Sequence, residues 1–276
     1  MKIDQHIAFI GSGNMASALI HGLLASGTSR PERILVNDVR KEALDALARE
    51  HGVATTADNA QAAASDVVVL SVKPQVLPAL LTEIAPHVSA SALVISIAAG
   101  VPLALIEAQL AGRRVIRAMP NTPALVSAGA TALAAGTHAS AADLALARGV
   151  FESVGTVVET PESLLDAVTA LSGSGPAYVF YLAEALVSAG EAVGLPADVA
   201  FALALQTVYG AAKLLHERGE APEELRRKVT SPGGTTQAGV ATLDALDVKG
   251  AVRKCVTAAR DRGQELGREA LAKLGP

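Results

Sequence analysis

The chain has 276 residues, a formal net charge of -4 and a pI near 5.9, which argues against a nucleic-acid surface, since that needs a clustered basic face. Half of it is hydrophobic, with 3% aromatic content and no Trp, so alanine and aliphatic side chains must fill the core. With only 18% charged residues, part of the apolar surface is expected to be buried between subunits. Cys255 is the only cysteine, which excludes an internal disulfide and a multi-thiolate metal centre and fits a reducing, cytoplasmic setting. A first strand within a few residues of the N-terminus is expected to leave no room for a signal peptide.

The apolar run Ile7-Ala8-Phe9-Ile10 reads as that strand, and the pattern from Met15 to Leu24 reads as a helix. Between them lies Gly11-Ser12-Gly13-Asn14-Met15-Ala16. At a strand-to-helix turn this spacing suits a dinucleotide: Gly11 for the tight turn, Gly13 for close approach of a pyrophosphate, and the small Ala16 for packing of helix on strand. The free N–H groups and the positive end of the helix dipole then meet the phosphates.

Arg33 to Val36 reads as a second strand, Arg40 to Glu50 as a helix and Val53-Ala54 as a short third strand. Asp66 to Val72 is apolar and β-branched almost throughout, as expected of a parallel strand buried on both faces. A helix to about Pro86, a strand from Leu93 to Ile97, a helix from Pro102 to Leu110 and a strand from Val115 to Met119 follow. Regular alternation implies right-handed crossovers and a doubly wound parallel sheet. Weaker strand signals at Ala130 to Ala134 and Thr156 to Glu159 flank a helix around Ala141 to Phe151.

Beyond Pro161 only helical periodicity is found: Glu162 to Leu171, Ala177 to Leu195, Ala197 to His216, Pro222 to Lys228, Thr236 to Leu246 and Lys249 to Leu274. We therefore expect two domains, an N-terminal Rossmann-like α/β domain over 1–161 and an all-helical domain over 162–276. The helix from Ala177 to Leu195 approaches membrane-spanning length, but Glu184, Gly190 and Glu191 interrupt it, so a buried or interfacial helix, and no membrane contact, is expected.

Ligands of an open α/β sheet bind beyond the carboxyl ends of its strands. Four segments leave such ends. The first is the glycine loop. In the second, Asn37 to Lys41, Asp38 suits the ribose hydroxyls of NAD, whereas Asn37, Arg40 and Lys41 can donate to the 2′-phosphate of NADP. The third is Val72-Lys73-Pro74. In the fourth, Met119-Pro120-Asn121-Thr122-Pro123, two prolines hold the loop rigid, which suits groups orienting a nicotinamide and equally a turn that merely leaves the sheet.

The helical half holds two glycine-rich entries. Leu171 to Pro176 reads as a capped turn, with Ser174 a candidate N-cap. Ser231-Pro232-Gly233-Gly234-Thr235-Thr236 places successive backbone donors and hydroxyls at a helix start, a nest for a small anion such as a carboxylate. The six histidines are scattered, with no HExxH and no metal-ligand spacing, and no GxSxG elbow or Cys/His nucleophile is present. No metal is expected, and the chemistry must come largely from a cofactor.

Taken in order, Gly11-Ser12-Gly13-Asn14-Met15, Val72-Lys73-Pro74, Met119 to Pro123, Leu171 to Tyr178 and Ser231 to Thr236 resemble the pyrroline-5-carboxylate reductase family over nearly the whole chain. The resemblance implies a Rossmann domain, a helical domain that intertwines with a second copy in a homodimer, and a decamer as the larger assembly. It implies NADPH as cofactor with NADH as an alternative, and 1-pyrroline-5-carboxylate as substrate, reduced to L-proline. It assigns Ser231, Gly233, Gly234, Thr235 and Thr236 to the substrate carboxylate, with Thr236 at the ring nitrogen, and Asn59 to the adenosine ribose. Gly11, Gly13, Asn14, Met15, Asn37, Arg40, Val72, Lys73, Pro74, Met119, Pro120 and Asn121 complete the expected cofactor set, and Thr236 and Lys73 the catalytic one. A β-hydroxyacid dehydrogenase shares the two-domain plan but carries a lysine on the helix after its glycine-rich turn; Ala177 to Leu195 contains none. A non-catalytic dinucleotide-binding protein would keep the glycine loop without needing Ser231 to Thr236.

Overall fold

A computed structural model describes residues 2–272. It begins with β1 (Ile7–Ile10), α1 (Asn14–Ala25), β2 (Ile34–Asn37), α2 (Lys41–His51), β3 (Ala54–Thr56), α3 (Asn59–Ala63), β4 (Val67–Leu70), α4 (Leu77–Ile84) and β5 (Leu93–Ser96). It continues with α5 (Leu103–Gln109), β6 (Arg114–Met119), β7 (Gly129–Ala135), α6 (Ala141–Glu152) and β8 (Gly155–Glu159). The strands form one sheet in the order β3-β2-β1-β4-β5-β6-β7-β8. β1 and β4 are buried at every residue, which is why their sequences are apolar without alternation. Each such Val, Ile or Phe contributes roughly 1.5–3 kcal/mol.

The expected α/β domain is present, with two differences. The sheet is not wholly parallel, because β7 runs antiparallel to β6 while β8 is parallel to β7. A parallel return needs a crossover of a dozen or more residues. The link between β6 and β7 is shorter and turns through a 3-10 segment, Thr122–Val126, ending at Ser127 with φ 56. The five-residue helix α3 carries no periodic signal long enough to read. It is started instead by Asp58, whose side chain accepts from the Ala60 N–H.

Local signals set the other ends. Gly52 closes α2 in the left-handed region at φ 68, where glycine pays no Cβ penalty. Ser140 and Asp143 form a reciprocal capping box at α6.

After β8 come α7 (Leu165–Val168), a π-helical turn (Thr169–Gly173), α8 (Gly175–Ala192), α9 (Ala197–Arg218), α10 (Pro222–Lys228), α11 (Thr235–Ala245) and α12 (Val248–Ala272). The last two residues expected in that helix lie outside the described ones. By packing, the chain separates into 1–174 with 259–276, and 175–258. The change in composition near residue 161 and the break in packing after 174 therefore fall at different places. Four contacts hold the intervening stretch to the α/β domain. Arg117 of β6, buried, pairs with Glu162 at 3.1 Å and Asp166 at 3.8 Å. Glu162 also accepts from the N–H of Leu103, the first residue of α5, at 2.6 Å. Leu165 is fully buried with Ala132 and Ala134 of β7.

The 175–258 unit has almost no core of its own. α8 and α9 pack closely, an added Cβ on Gly190 lying 3.0 Å from that of Ala200, yet Phe180, Tyr181, Leu182, Phe201, Leu203 and Tyr209 are exposed in the single chain. Among the described residues α9 is the one helix long and apolar enough, by length and composition alone, to cross a membrane. It is not Ala177 to Leu195, the stretch whose apolar length drew notice in the sequence.

The β7–β8 pairing gives a direct test of this packing. A Cβ at Gly155 would lie 2.0 Å from the Gly129 carbonyl oxygen in the neighbouring strand. Gly155→Ala should cost about 1–3 kcal/mol or more, the range of forced overpacking, read as a lower midpoint in denaturant unfolding with little change in slope.

Candidate active site

The glycine loop is fixed from both sides. The Gly11 N–H donates to the Asn37 carbonyl at 2.8 Å, and the Ser71 hydroxyl donates to the Gly11 carbonyl at 2.6 Å and to that of Ile10 at 3.0 Å. Gly11 has φ +101, and a Cβ there would lie 2.7 Å from the Ser71 carbonyl oxygen. Only glycine fits such a position. Gly13, by contrast, has nothing within 4 Å of where a Cβ would stand. It is the N-cap residue of α1 and receives no side-chain cap, so the first N–H groups of α1 are left for an anion. Ala16 is fully buried, Asn14 is exposed and Met15 half-buried.

At the end of β2 the expected residues divide. Asn37 is buried and its amide reaches the Thr56 carbonyl at 3.4 Å, so its side chain is directed toward β3. Asp38 is buried and accepts from the Ser12 N–H at 2.8 Å and the Ser12 hydroxyl at 2.6 Å. Arg40 reaches the same carboxylate through its backbone N–H, Nε and Nη2. Burial pushes the Asp38 carboxyl up, but the donors on Arg40 and Ser12 outweigh it and hold the group well below the usual carboxylate range. Lys41 is turned away, bonded to both oxygens of Asp45 one turn along α2. Asn59 opens α3 and donates to both oxygens of Glu83 on α4.

Val72 and Pro74 are half-buried beyond β4, with Lys73 between them exposed. After β6, Met119 packs against the small cluster of Ala132, Ala134 and Leu165, and Pro120 is buried. Asn121 spans two elements: its amide donates to the Ser172 carbonyl at 3.0 Å and its oxygen accepts from the Ala130 N–H at 2.8 Å. Ser172 belongs to the π-helical turn, a distortion found often at functional sites. Next to it, Gly173 faces Met119, whose Cε would be 2.5 Å from an added Cβ. Asn121 is thus a brace between loop and turn, a role that sequence reasoning did not assign to it.

In the 175–258 unit, Ser231 to Thr236 forms the start of α11. Gly233 takes φ +73, and Gly234 is the N-cap without a side-chain cap. Two of the expected donors are already engaged: the Gly234 N–H with the Ser231 carbonyl at 3.1 Å, and the Gly233 N–H with the Gln237 side-chain oxygen at 2.6 Å. The first i→i−4 bond is made by Ala238 to Gly234, so the N–H groups of Thr235, Thr236 and Gln237 precede it and stay open. Thr235 and Thr236 are exposed. Gln237 was missed because it lies past the glycine motif; a side chain reaching back to a helix start is the capping-type signal that marks it.

A glycine turn open to a pyrophosphate, at the carboxyl end of a doubly wound sheet, defines a dinucleotide-binding protein of the Rossmann type. A family model described as pyrroline-5-carboxylate reductase dimerisation matches residues 162–266. One described as NADP oxidoreductase, coenzyme F420-dependent, matches 6–100. The pyrroline-5-carboxylate reductase of a Synechocystis strain is 47% identical over 264 residues, covering 95% of this chain and 98% of that protein. That of Methanosarcina acetivorans is 44% identical, covering 96% and 99%. The solved pyrroline-5-carboxylate reductase from Coxiella burnetii superposes with a TM-score of 0.91 at 41% identity, covering 96% of this chain and 99% of that one. The Plasmodium falciparum pyrroline carboxylate reductase with NADP bound gives 0.84 at 29% identity, covering 97% and 100%. The chain belongs to the pyrroline-5-carboxylate reductase family.

Two outcomes follow from the site geometry. Asn121→Ala leaves the Ser172 carbonyl and the Ala130 N–H without their partner, and should lower stability by about 1–3 kcal/mol, seen in thermal unfolding of the cofactor-free protein. Asp38, with its pKa lowered in the folded state, contributes stability that is fully present above its unfolded pKa of about 3.9. It is lost as pH falls through the lower folded value. Wild type should therefore lose stability more steeply than Asp38→Asn between about pH 5 and pH 2; equal slopes in acid unfolding would show that the carboxylate is not held.

Proposed function

We infer that the chain reduces 1-pyrroline-5-carboxylate to L-proline with hydride from a nicotinamide cofactor, NADPH in preference to NADH. The single observation that carries this reading is the family membership across 95% of the chain, joined to the open helix start at Gly13. The NADP bound to the Plasmodium relative and the exposed Arg40 support the phosphorylated cofactor.

Gly11, Gly13, Asn14 and Met15 are assigned to the pyrophosphate and the helix start beneath it. Val72, Lys73, Pro74, Met119 and Pro120 form the wall for the nicotinamide half, and Asn121 holds that wall by its two bonds. Asn37 backs the ribose pocket from within the sheet, and Asn59 flanks it beside Glu83. The cofactor supplies the hydride; the chain supplies position and charge. Holding the donor carbon close to the imine carbon replaces a bimolecular encounter by a positioned one.

The substrate carboxylate is assigned to Ser231, Gly233, Gly234, Thr235 and Thr236, where the open Thr235 and Thr236 N–H groups and the helix dipole favour a negative charge. Thr236 hydrogen-bonds the ring nitrogen. Protonation of that nitrogen makes the adjacent carbon a better hydride acceptor, and because a threonine hydroxyl is a poor acid the proton comes from solvent with Thr236 as relay. Lys73, exposed beyond β4, is assigned a catalytic part through its positive charge.

Self-association follows from the dimerisation region and from the exposed apolar faces of α8 and α9. A homodimer, with a decamer above it, buries them, and the working location is the cytoplasm.

Loss of nicotinamide absorbance on mixing protein, NADPH and 1-pyrroline-5-carboxylate tests the activity; no turnover with either NADPH or NADH would sink it. Thr236→Ala should lower kcat by about 10²–10⁴-fold, the scale of general acid–base assistance, with nucleotide affinity almost unchanged. A large loss of nucleotide affinity instead would place Thr236 in the cofactor site.

A further inference from the structure

We propose that Asp38 is a positioning residue that holds Arg40 for the 2′-phosphate of NADPH, and does not read the ribose hydroxyls itself. The proposal rests on the dinucleotide reading above and decides which residue carries the cofactor preference. An acid at the end of the second strand ordinarily accepts the ribose diol of NAD. Here its acceptor capacity is spent. An ionised carboxylate offers about four lone-pair directions. Oδ2 accepts from the Ser12 N–H, the Ser12 hydroxyl and Arg40 Nη2, and Oδ1 accepts from the Arg40 N–H and Nε.

The side chain of Asp38 is 9% exposed and that of Arg40 is 60% exposed. Nη2 also meets the Ser12 hydroxyl at 3.3 Å. One edge of the guanidinium is therefore fixed on the carboxylate, and the outer nitrogen, Nη1, has no partner among the described residues. A planar fork held along one edge can present the other to a phosphate. Neighbouring groups do not compete: Lys41 is paired with Asp45, and Val39, the residue between Asp38 and Arg40, is almost wholly exposed and carries no charge.

The two roles for Asp38 predict opposite signs. Affinities for NADPH and NADH are to be measured on the full chain by nicotinamide fluorescence, without substrate. Wild type is expected to bind NADPH more tightly. Arg40→Ala should lose about 10–100-fold in NADPH affinity, the scale of a charge-assisted hydrogen bond, with NADH changed by less than about 3-fold. Asp38→Asn should weaken NADPH several-fold and NADH little, and Lys41→Ala should alter neither.

A larger loss of NADH than of NADPH in Asp38→Asn would overturn the proposal, because that is the behaviour of a diol acceptor. Arg40→Lys gives an independent reading should Asp38→Asn fold poorly. It keeps the charge but cannot grip the carboxylate with two nitrogens, so NADPH affinity should fall several-fold; full retention would mean that charge alone suffices. Failure of the wild type to bind either nucleotide would remove the dinucleotide site, an outcome distinct from an unchanged NADPH:NADH ratio across the variants, which would overturn the Asp38 role alone.

Discussion

Gly11 sits where two neighbouring strands leave the sheet, and the space there admits backbone only. Its N–H is bonded to the last residue of β2, its carbonyl to the hydroxyl that follows β4, and a Cβ would strike the Ser71 carbonyl. Since β1 lies between β2 and β4, this one residue sets the position of the turn relative to both loops that flank it. The open helix start at Gly13, the Ser12 donors to Asp38 and the exit of Lys73 all take their place from that close approach. A side chain here would displace the turn rather than fill a gap, so the requirement is geometric before it is chemical.

Much of this was legible in the residues. The buried strands read as continuous apolar runs because both faces of the sheet are covered, and the glycine turn read as a dinucleotide site because strand, turn and helix follow one another without insertion. What could not be read was pairing between distant side chains. Asp38 and Arg40 were visible as conflicting signals, and only the third partner, Ser12, 26 positions earlier, turns the conflict into one arrangement. Asn121 read as a ligand group or as part of a simple turn; its bonds to Ser172 and Ala130 add a bracing role. Gln237 gave only a faint sign, its place three residues after the N-cap Gly234, and its part is clear once the Gly233 N–H it accepts from is known. The reversal at β7 went unread although the short link between the two expected strands pointed to it, because strand direction leaves no mark on the strand's own composition.

The junction after β8 shows how composition and packing can part company. From Pro161 onward the sequence is helical in pattern, and the dimerisation model begins at residue 162. Yet Glu162 and Asp166 are the partners of the buried Arg117, and a buried cation stripped of its partners is costly, typically by 3–5 kcal/mol. Those first helical residues are therefore energetically part of the sheet, whatever their periodicity.

That attachment bears on the loop that follows β6. Arg117 lies two residues before Met119 on the same strand, so the ion pairs that fasten 162–166 act close to the loop carrying Pro120 and Asn121. Asn121 in turn donates to Ser172, and Gly173 is held clear of a side chain by the Met119 methyl. Contacts of three kinds, ionic, hydrogen-bonded and steric, thus link β6 and the loop after it to the stretch from Glu162 to Gly173. A loop restrained in this way has few ways to relax. The π-helical turn fits the same logic: at the point where the Ser172 carbonyl has to meet Asn121, the helix accepts a less favourable hydrogen-bond register.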